Sequence, residues 1–320
     1  MRRLQHLHMP DVHVSRSRAL QEVRDAGCRA RRRPHASQSR LAGALSHIRA
    51  VVRTAVAPLL AEPTVAATQL TQALRGHELD LIEERGTWWL ARGADDYEGW
   101  IHCGYLALTG PSDNGPPARA WDLDALMSLG CVVRGFVGGI HALPLGAIVP
   151  EDVEVVAGEA RTLEERRRSF IPQGEAIVRS ARRLFSGTPY MWGGVTPWGA
   201  DCSGLVQSVF ALHGIALPRD AWQQGGAGAE LDSGHDALQP GDLLFFSERD
   251  DRRMTHVAIS AGGPEIVHLA VARGGYAVES LDSDDPVSAA LKSRFLFGRR
   301  VLSDDQASRM RLEYPGGRAV

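Results

Sequence analysis

The sequence predicts an α+β domain preceded by two small all-β barrels. Three observations carry that expectation. From about Ser46 the chain runs in short alternating stretches, "HELDLIEE", "TWWLARG" and "YEGWIHCGYLAL", separated by Gly- and Asp-rich turns. At about Thr162 the apolar period becomes that of a helix. Beyond it, "DLLFFS", "THVAIS", "EIVHLA" and "RFLFGRRV" are apolar runs of strand length, so a helical half precedes a sheet half. A chain of 320 residues is long enough to give two or three parts a core each.

The elements follow in order. Residues 1–43 are Arg-rich and lack the apolar stretch of a secretory signal, so they are expected to be a disordered leader and the protein to stay in the cytoplasm. Residues 44–110 make the first barrel. The linker "GPSDNGPPAR" then leads into a second, 111–165, where "CVVRGFVGGIHALPLGAIV" has similar strand-and-turn texture. In the domain 166–302, Pro172 opens the helix "PQGEAIVRSARRLF", whose Ile177, Ala181, Leu184 and Phe185 share one face, and Gly187 stops it. A glycine-rich loop turns into a second helix, "DCSGLVQSVFALHG". There Leu205, Val209 and Leu212 repeat at i, i+4 and i+7, and Gly214 ends the run. The strand runs come next, and residues 303–320 form a tail.

A formal net charge of −2 gives no reason to expect nucleic acid or an anionic membrane as partner. No run of about 18 apolar residues is present, so no membrane span is expected. The four cysteines, Cys28, Cys103, Cys131 and Cys202, form no C-x-x-C pair, which indicates neither a disulfide framework nor a zinc ribbon. No cofactor is expected, and the oligomeric state is left open.

Cys202 is the residue that asks for an explanation. Asp201 can cap its helix, leaving the thiol in the first turn, where free N–H groups and the helix dipole favour a thiolate. An isolated cysteine is more often a buried structural side chain. A nucleophile would need a base, itself oriented by a third group. His256 and His268 lie in consecutive strand runs around "AGG". A hairpin centred on Gly262 sets them directly opposite each other, at cross-strand distance. One ring could then take the Cys202 proton while the other fixes its tautomer. Two polar residues on a solvated sheet face would be the plain alternative. Zinc would need three converging ligands and usually a fourth, and no fourth stands at a suggestive spacing.

With those residues in view, residues from about 172 to 302 resemble the NlpC/P60 cysteine peptidases, a papain-like fold acting on bacterial cell-wall peptides. "TPYMWGG", "ADCSGLVQSVF", "LPRDAWQQ", "LQPGDLLFF", "THVAIS" and "IVHLA" occur in that family's order and spacing. The resemblance implies Cys202 as nucleophile, His256 as base and His268 as its orienter. The barrels resemble bacterial SH3 domains. Two of them before a peptidase is similar to the γ-D-glutamyl-L-diamino acid endopeptidases of murein-peptide recycling. In those enzymes the first SH3 domain closes one end of the site, so that only fragments with a free N-terminal L-Ala fit. That implies substrate-binding roles for Glu62 in "LLAEPT", Tyr97 in "ADDYEGW", Tyr190, Asp201 and Ser203, and a murein peptide, L-Ala-γ-D-Glu-diamino acid, as substrate. Carboxylates from Glu62 and Asp201 could bind the α-ammonium by charge-assisted hydrogen bonds. Ala221 stands where the family often has serine, and Trp222 and "QQGGAGAELDSG" depart from its pattern. The alternative is a secreted hydrolase of the intact sacculus, with SH3 domains as wall anchors.

Overall fold

The computed structural model describes residues 48–111, 115–135, 139–231 and 238–302. The leader expected over 1–43 and the tail expected over 303–320 lie outside the described residues.

Seven short strands build the first unit: β1 (Ile48–Val52), β2 (Val56–Leu60), β3 (Gln69–Leu74), β4 (Glu78–Arg85), β5 (Trp88–Arg92), β6 (Glu98–His102) and β7 (Leu106–Pro111). They form one sheet in the order β3-β2-β6-β5-β4-β1-β7. The period-two pattern decides which side chains turn inward. In β4, Leu79 and Leu81 are buried with Ala50, Val52, Leu59 and Ile101, while Asp80 between them binds Arg49.

In the second stretch the described residues form a three-stranded sheet: β8 (Met127–Gly135), β9 (Ile140–Leu143) and β10 (Val153–Arg161), ordered β10-β8-β9. Twice the β8–β10 register shifts, which bends and twists the pair. Near one shift Gly158 has φ +76°, and a Cβ there would stand 2.2 Å from the Gly130 carbonyl oxygen. This sheet lacks an isolated core. Cys131, Val133, Leu143 and Val149 pack with Leu74 of β3 and Val195 of the following unit. Such a shared core joins all three parts.

In the third unit, α1 (Leu163–Ser169) begins at a capping box between Thr162 and Glu165. Then come α2 (Gly174–Phe185), the short pair β11 (Val195–Thr196) and β12 (Gly199–Ala200), α3 (Cys202–Leu212) and α4 (Ala221–Gln224). The remaining elements are β13 (Ala229–Leu231), β14 (Leu243–Phe246), β15 (His256–Gly262), β16 (Glu265–Ala270), β17 (Gly275–Ser280), α5 (Pro286–Ser293) and β18 (Phe295–Arg300). Six of these strands form an antiparallel sheet, β13-β18-β14-β15-β16-β17. Leu243, Phe245, Val257, Ile259 and Val267 pack with Ile177, Phe185, Leu205 and Val209 of α2 and α3. Leu244, Phe246, Ala258 and Ile266 enter a second cluster with Leu281 and Leu291. Burial on both faces explains why "LLFF" is apolar without alternation. No helix among the described residues is long and apolar enough to cross a membrane.

Candidate active site

Cys202 is the first residue of α3, and Asp201 caps it: Asp201 Oδ1 accepts the Gly204 N–H at 2.7 Å. Ladder pairing of β15 with β16 stops at Ile259–Val267. Beyond that point the Val257 N–H is turned to the Cys202 sulfur, as is the N–H of Ser203. The helix N-terminus was expected to lower the thiol pKa, and the structure reverses the sign. Burial, reinforced by the Asp201 charge, pushes Cys202 up to about 12, against the two N–H groups and Arg219. Cys131 and Cys202 are free thiols; Cys28 lies outside the described residues.

His256 and His268 come together by a register that differs from the expected one. Gly262 and Gly263 have φ of +107° and +56°, so the turn runs through Gly263 and Pro264, Gly262 pairs with Glu265, and the ladder shifts at Ala261. Ile259 therefore faces Val267, and His256 stands diagonal to His268 instead of opposite it. The slip is two residues, which preserves the shared face. Diagonal neighbours remain within reach of long side chains: His256 Nε2 and His268 Nδ1 are 2.9 Å apart. That contact leaves Nδ1 as the other ring nitrogen of His256. Burial, with His268 beside it, brings the His256 pKa down to about 3. In the resting site burial thus disfavours the charged form of both Cys202 and His256.

A third hydrogen bond extends the chain. His268 Nε2 lies 3.2 Å from Glu279 Oε1, and that oxygen also accepts Arg273 Nε at 2.7 Å. Ser288 Oγ donates to Glu279 Oε2 at 2.7 Å. The sequence reading missed Glu279, and with it β17 and α5. "GYAVES" is too short and mixed to announce a strand, and its glutamate looks like a solvent-facing residue.

A second buried network holds the α3 N-terminus. Arg219, 1% exposed, grips Asp201 with both terminal nitrogens, Nη1 to Oδ1 at 3.0 Å and Nη2 to Oδ2 at 2.7 Å. Gly193 N–H binds Asp201 Oδ2, and Ser203 Oγ donates to Oδ1 while accepting from Arg219 Nη1. Five donors therefore already occupy Asp201, and Ser203 is engaged with the same pair. Arg219 Nε reaches across to Thr71 of β3 at 2.9 Å.

Tyr97 crosses the same boundary: its hydroxyl lies 3.0 and 3.1 Å from the two carboxylate oxygens of Asp220. Burial and the Asp220 charge push its pKa up to about 12, so it stays a donor. Trp222 Nε1 also donates to Asp220. Gln69 binds the Trp192 carbonyl, next to the glycine that holds Asp201. Glu62 is exposed on the turn between β2 and β3, which Gln69 ends. Tyr190 is half-buried, and its ionisation is opposed by burial and then by the Cys202 charge. No group of three or more His, Cys, Asp or Glu among the described residues is arranged to hold a metal ion.

Comparison with known proteins identifies the two units around this site. Residues 187–293 match the NlpC/P60 family and residues 55–107 the bacterial SH3 domain. Two relatives, from Bacillus subtilis and Bacillus cereus, are named gamma-D-glutamyl-L-lysine dipeptidyl-peptidase. They are 40% and 35% identical, over 31% and 62% of this chain and 37% and 66% of their own lengths. The chain thus spans less than two thirds of either relative. A crystal structure of an NlpC/P60 family protein from Bacillus cereus superposes with a TM-score of 0.62 at 19% identity, covering 80% of this chain and all of that one. An NlpC/P60 endopeptidase from Photobacterium damselae gives 0.55 at 16%, over 78% and 70%. These likenesses show the fold.

Proposed function

We propose that this chain, which carries an NlpC/P60 cysteine peptidase domain behind a bacterial SH3 domain, cleaves the γ-D-Glu to diamino-acid bond of soluble cell-wall peptides with a free N-terminal L-Ala. The observation that carries this reading is the Tyr97–Asp220 hydrogen bond. It ties a barrel side chain to the peptidase unit one residue from Arg219, which clamps the cap of the Cys202 helix. A wall built there limits how far a peptide can extend past its N-terminus. We read Asp220 and Glu62 as the carboxylates that meet the α-ammonium, with Asp201 holding the frame through Arg219. On this reading the β8–β10 sheet is a second SH3-like module, the peptidase domain is papain-like, and the enzyme works on recycled fragments in the cytoplasm.

The chemistry follows from the resting charges. Since burial disfavours thiolate and imidazolium alike, the Cys202 proton passes to His256 Nδ1 as the sulfur attacks the D-Glu γ-carbonyl. A C–S bond forms and the carbonyl electron pair moves to oxygen. That oxyanion is held by the Cys202 N–H, an orphan donor of the first helical turn, and by the protonated Tyr190 hydroxyl. As the C–N bond breaks, His256 returns the proton to the departing amine. Water, deprotonated by His256, then attacks the thioester. The C–S bond breaks, the sulfur recovers its proton, and L-Ala-γ-D-Glu leaves.

Mass analysis of products from three substrates tests the reading: L-Ala-γ-D-Glu-diamino acid, its N-acetylated form and intact sacculi. The free tripeptide should yield L-Ala-γ-D-Glu. Cleavage of sacculi with the free tripeptide left intact would overturn the proposal in favour of a wall hydrolase.

A further inference from the structure

We propose that Glu279 is a positioning residue for the reaction: it fixes the tautomers of His268 and His256 and offsets the positive charge that arises while His256 carries the Cys202 proton. The inference rests on the cysteine-peptidase assignment and not on the choice of peptide.

The argument is proton bookkeeping along three contacts. Glu279 is surrounded by donors: His268 Nε2 and Arg273 Nε converge on Oε1, and Ser288 Oγ meets Oε2. An ionised carboxylate accepts and cannot donate. His268 must therefore carry its proton on Nε2, and in the neutral ring Nδ1 is then a bare acceptor. That Nδ1 faces His256 Nε2 at 2.9 Å, and such a contact needs one proton, so it sits on His256 Nε2. His256 is left with an unprotonated Nδ1, the form a base toward Cys202 requires. One carboxylate thus sets two rings.

The surroundings keep that carboxylate in place. Pairing of β16 with β17 sets Ile266 opposite Glu279, which makes Glu279 diagonal to His268 on the same face. Its 7% exposure denies it competing water. Arg273 is bound in turn by Asp285, whose carboxylate also caps α5 through the N–H groups of Val287 and Ser288. Strand and helix thereby hold one anion from two sides. Without an acceptor at His268 Nε2, the proton can move to Nδ1 and point at His256. His256 must then accept there and carry its own proton on Nδ1, facing the thiol.

The test uses the full chain labelled with 15N-histidine, with long-range 1H–15N correlation spectra at pH 7 for wild type, Glu279→Gln and Glu279→Leu. Wild type should show both rings protonated on Nε2. Glu279→Gln keeps an acceptor beside Arg273, so the tautomers should persist while kcat falls about tenfold through the lost charge. Glu279→Leu should show Nδ1–H on His256 and lose about 10³- to 10⁴-fold in kcat with KM little changed, the scale seen when a triad carboxylate stops enforcing its tautomer. A wild-type His256 protonated on Nδ1 overturns the proposal, as does a folded Leu variant with wild-type tautomers and kcat. If the Leu variant does not fold, the wild-type spectrum and the Gln variant decide: unchanged kcat in Gln removes the charge role. The spectra need no peptide, so they stand even if the substrate proposal fails.

Discussion

A thiol at a helix N-terminus feels two opposed fields, and at Cys202 burial wins. The Val257 and Ser203 N–H groups and Arg219 favour the thiolate, yet desolvation and the Asp201 charge carry the pKa up to about 12. A cysteine is deprotonated above its pKa, so Cys202 in the substrate-free enzyme is a thiol throughout the neutral range. Its alkylation by iodoacetamide should therefore keep rising with pH from 6 to 10. A plateau already reached near pH 6 would mean a preformed ion pair with His256. Arg219 makes a second test at this scale. Removing it leaves Asp201 buried without its counter-charge, so Arg219→Ala should cost about 3–5 kcal/mol of stability by urea titration. A loss under about 1 kcal/mol would mean that Asp201 finds other compensation.

At the scale of elements, α2 and α3 were legible because their signals are local. Asp201 at the cap, the apolar repeat from Leu205 to Leu212 and Gly214 all belong to one short stretch, and α3 ends where they say. The hairpin was half legible. Parity set His256 and His268 on one face, but the positive φ values at Gly262 and Gly263 set the register. Glu279 and Arg219 were illegible for a common reason. Each is a buried charge whose partner comes from another element, and no local pattern distinguishes it from a solvated one. His213 is another buried polar residue of this kind. It bridges the Ile171 carbonyl at 2.6 Å and Ser180 Oγ of α2 at 2.9 Å, and burial brings its pKa down to about 4. Its ordinary value is 6.5, so between pH 6.5 and 4 the unfolded chain binds more protons than the folded one. Stability must fall as pH drops through that window, by on the order of 3 kcal/mol from this residue. His256, lowered by burial too, acts in the same direction. His213→Gln should be less stable than wild type at pH 7 by about 1–3 kcal/mol, and the gap should shrink by pH 4.5. An equal gap at both pH values would remove His213 from the acid sensitivity.

Across the whole molecule, specificity is proposed to come from where the barrel meets the peptidase. Among the side-chain contacts that cross that boundary are Thr71 to Arg219, Gln69 to the Trp192 carbonyl and Tyr97 to Asp220. The first two brace the loop and cap that carry Cys202. The third adds no support to that helix, which suits Tyr97 to shaping the pocket. Tyr97→Phe deletes one hydroxyl and leaves the ring in place, so the fold should hold and Asp220 should lose one orienting donor. A charge-assisted contact to the α-ammonium is worth about 1.5–3 kcal/mol, or roughly ten- to a hundredfold in kcat/KM. Wild type should therefore prefer the free tripeptide over its N-acetylated form by at least that factor. Tyr97→Phe and Glu62→Ala should each narrow the ratio by lowering the rate on the free peptide, with the acetylated rate little changed. The measurement is kcat/KM for both peptides with all three proteins. If both substrates slow equally in the variants, Tyr97 and Glu62 support the fold and the selection for a free amine must lie elsewhere.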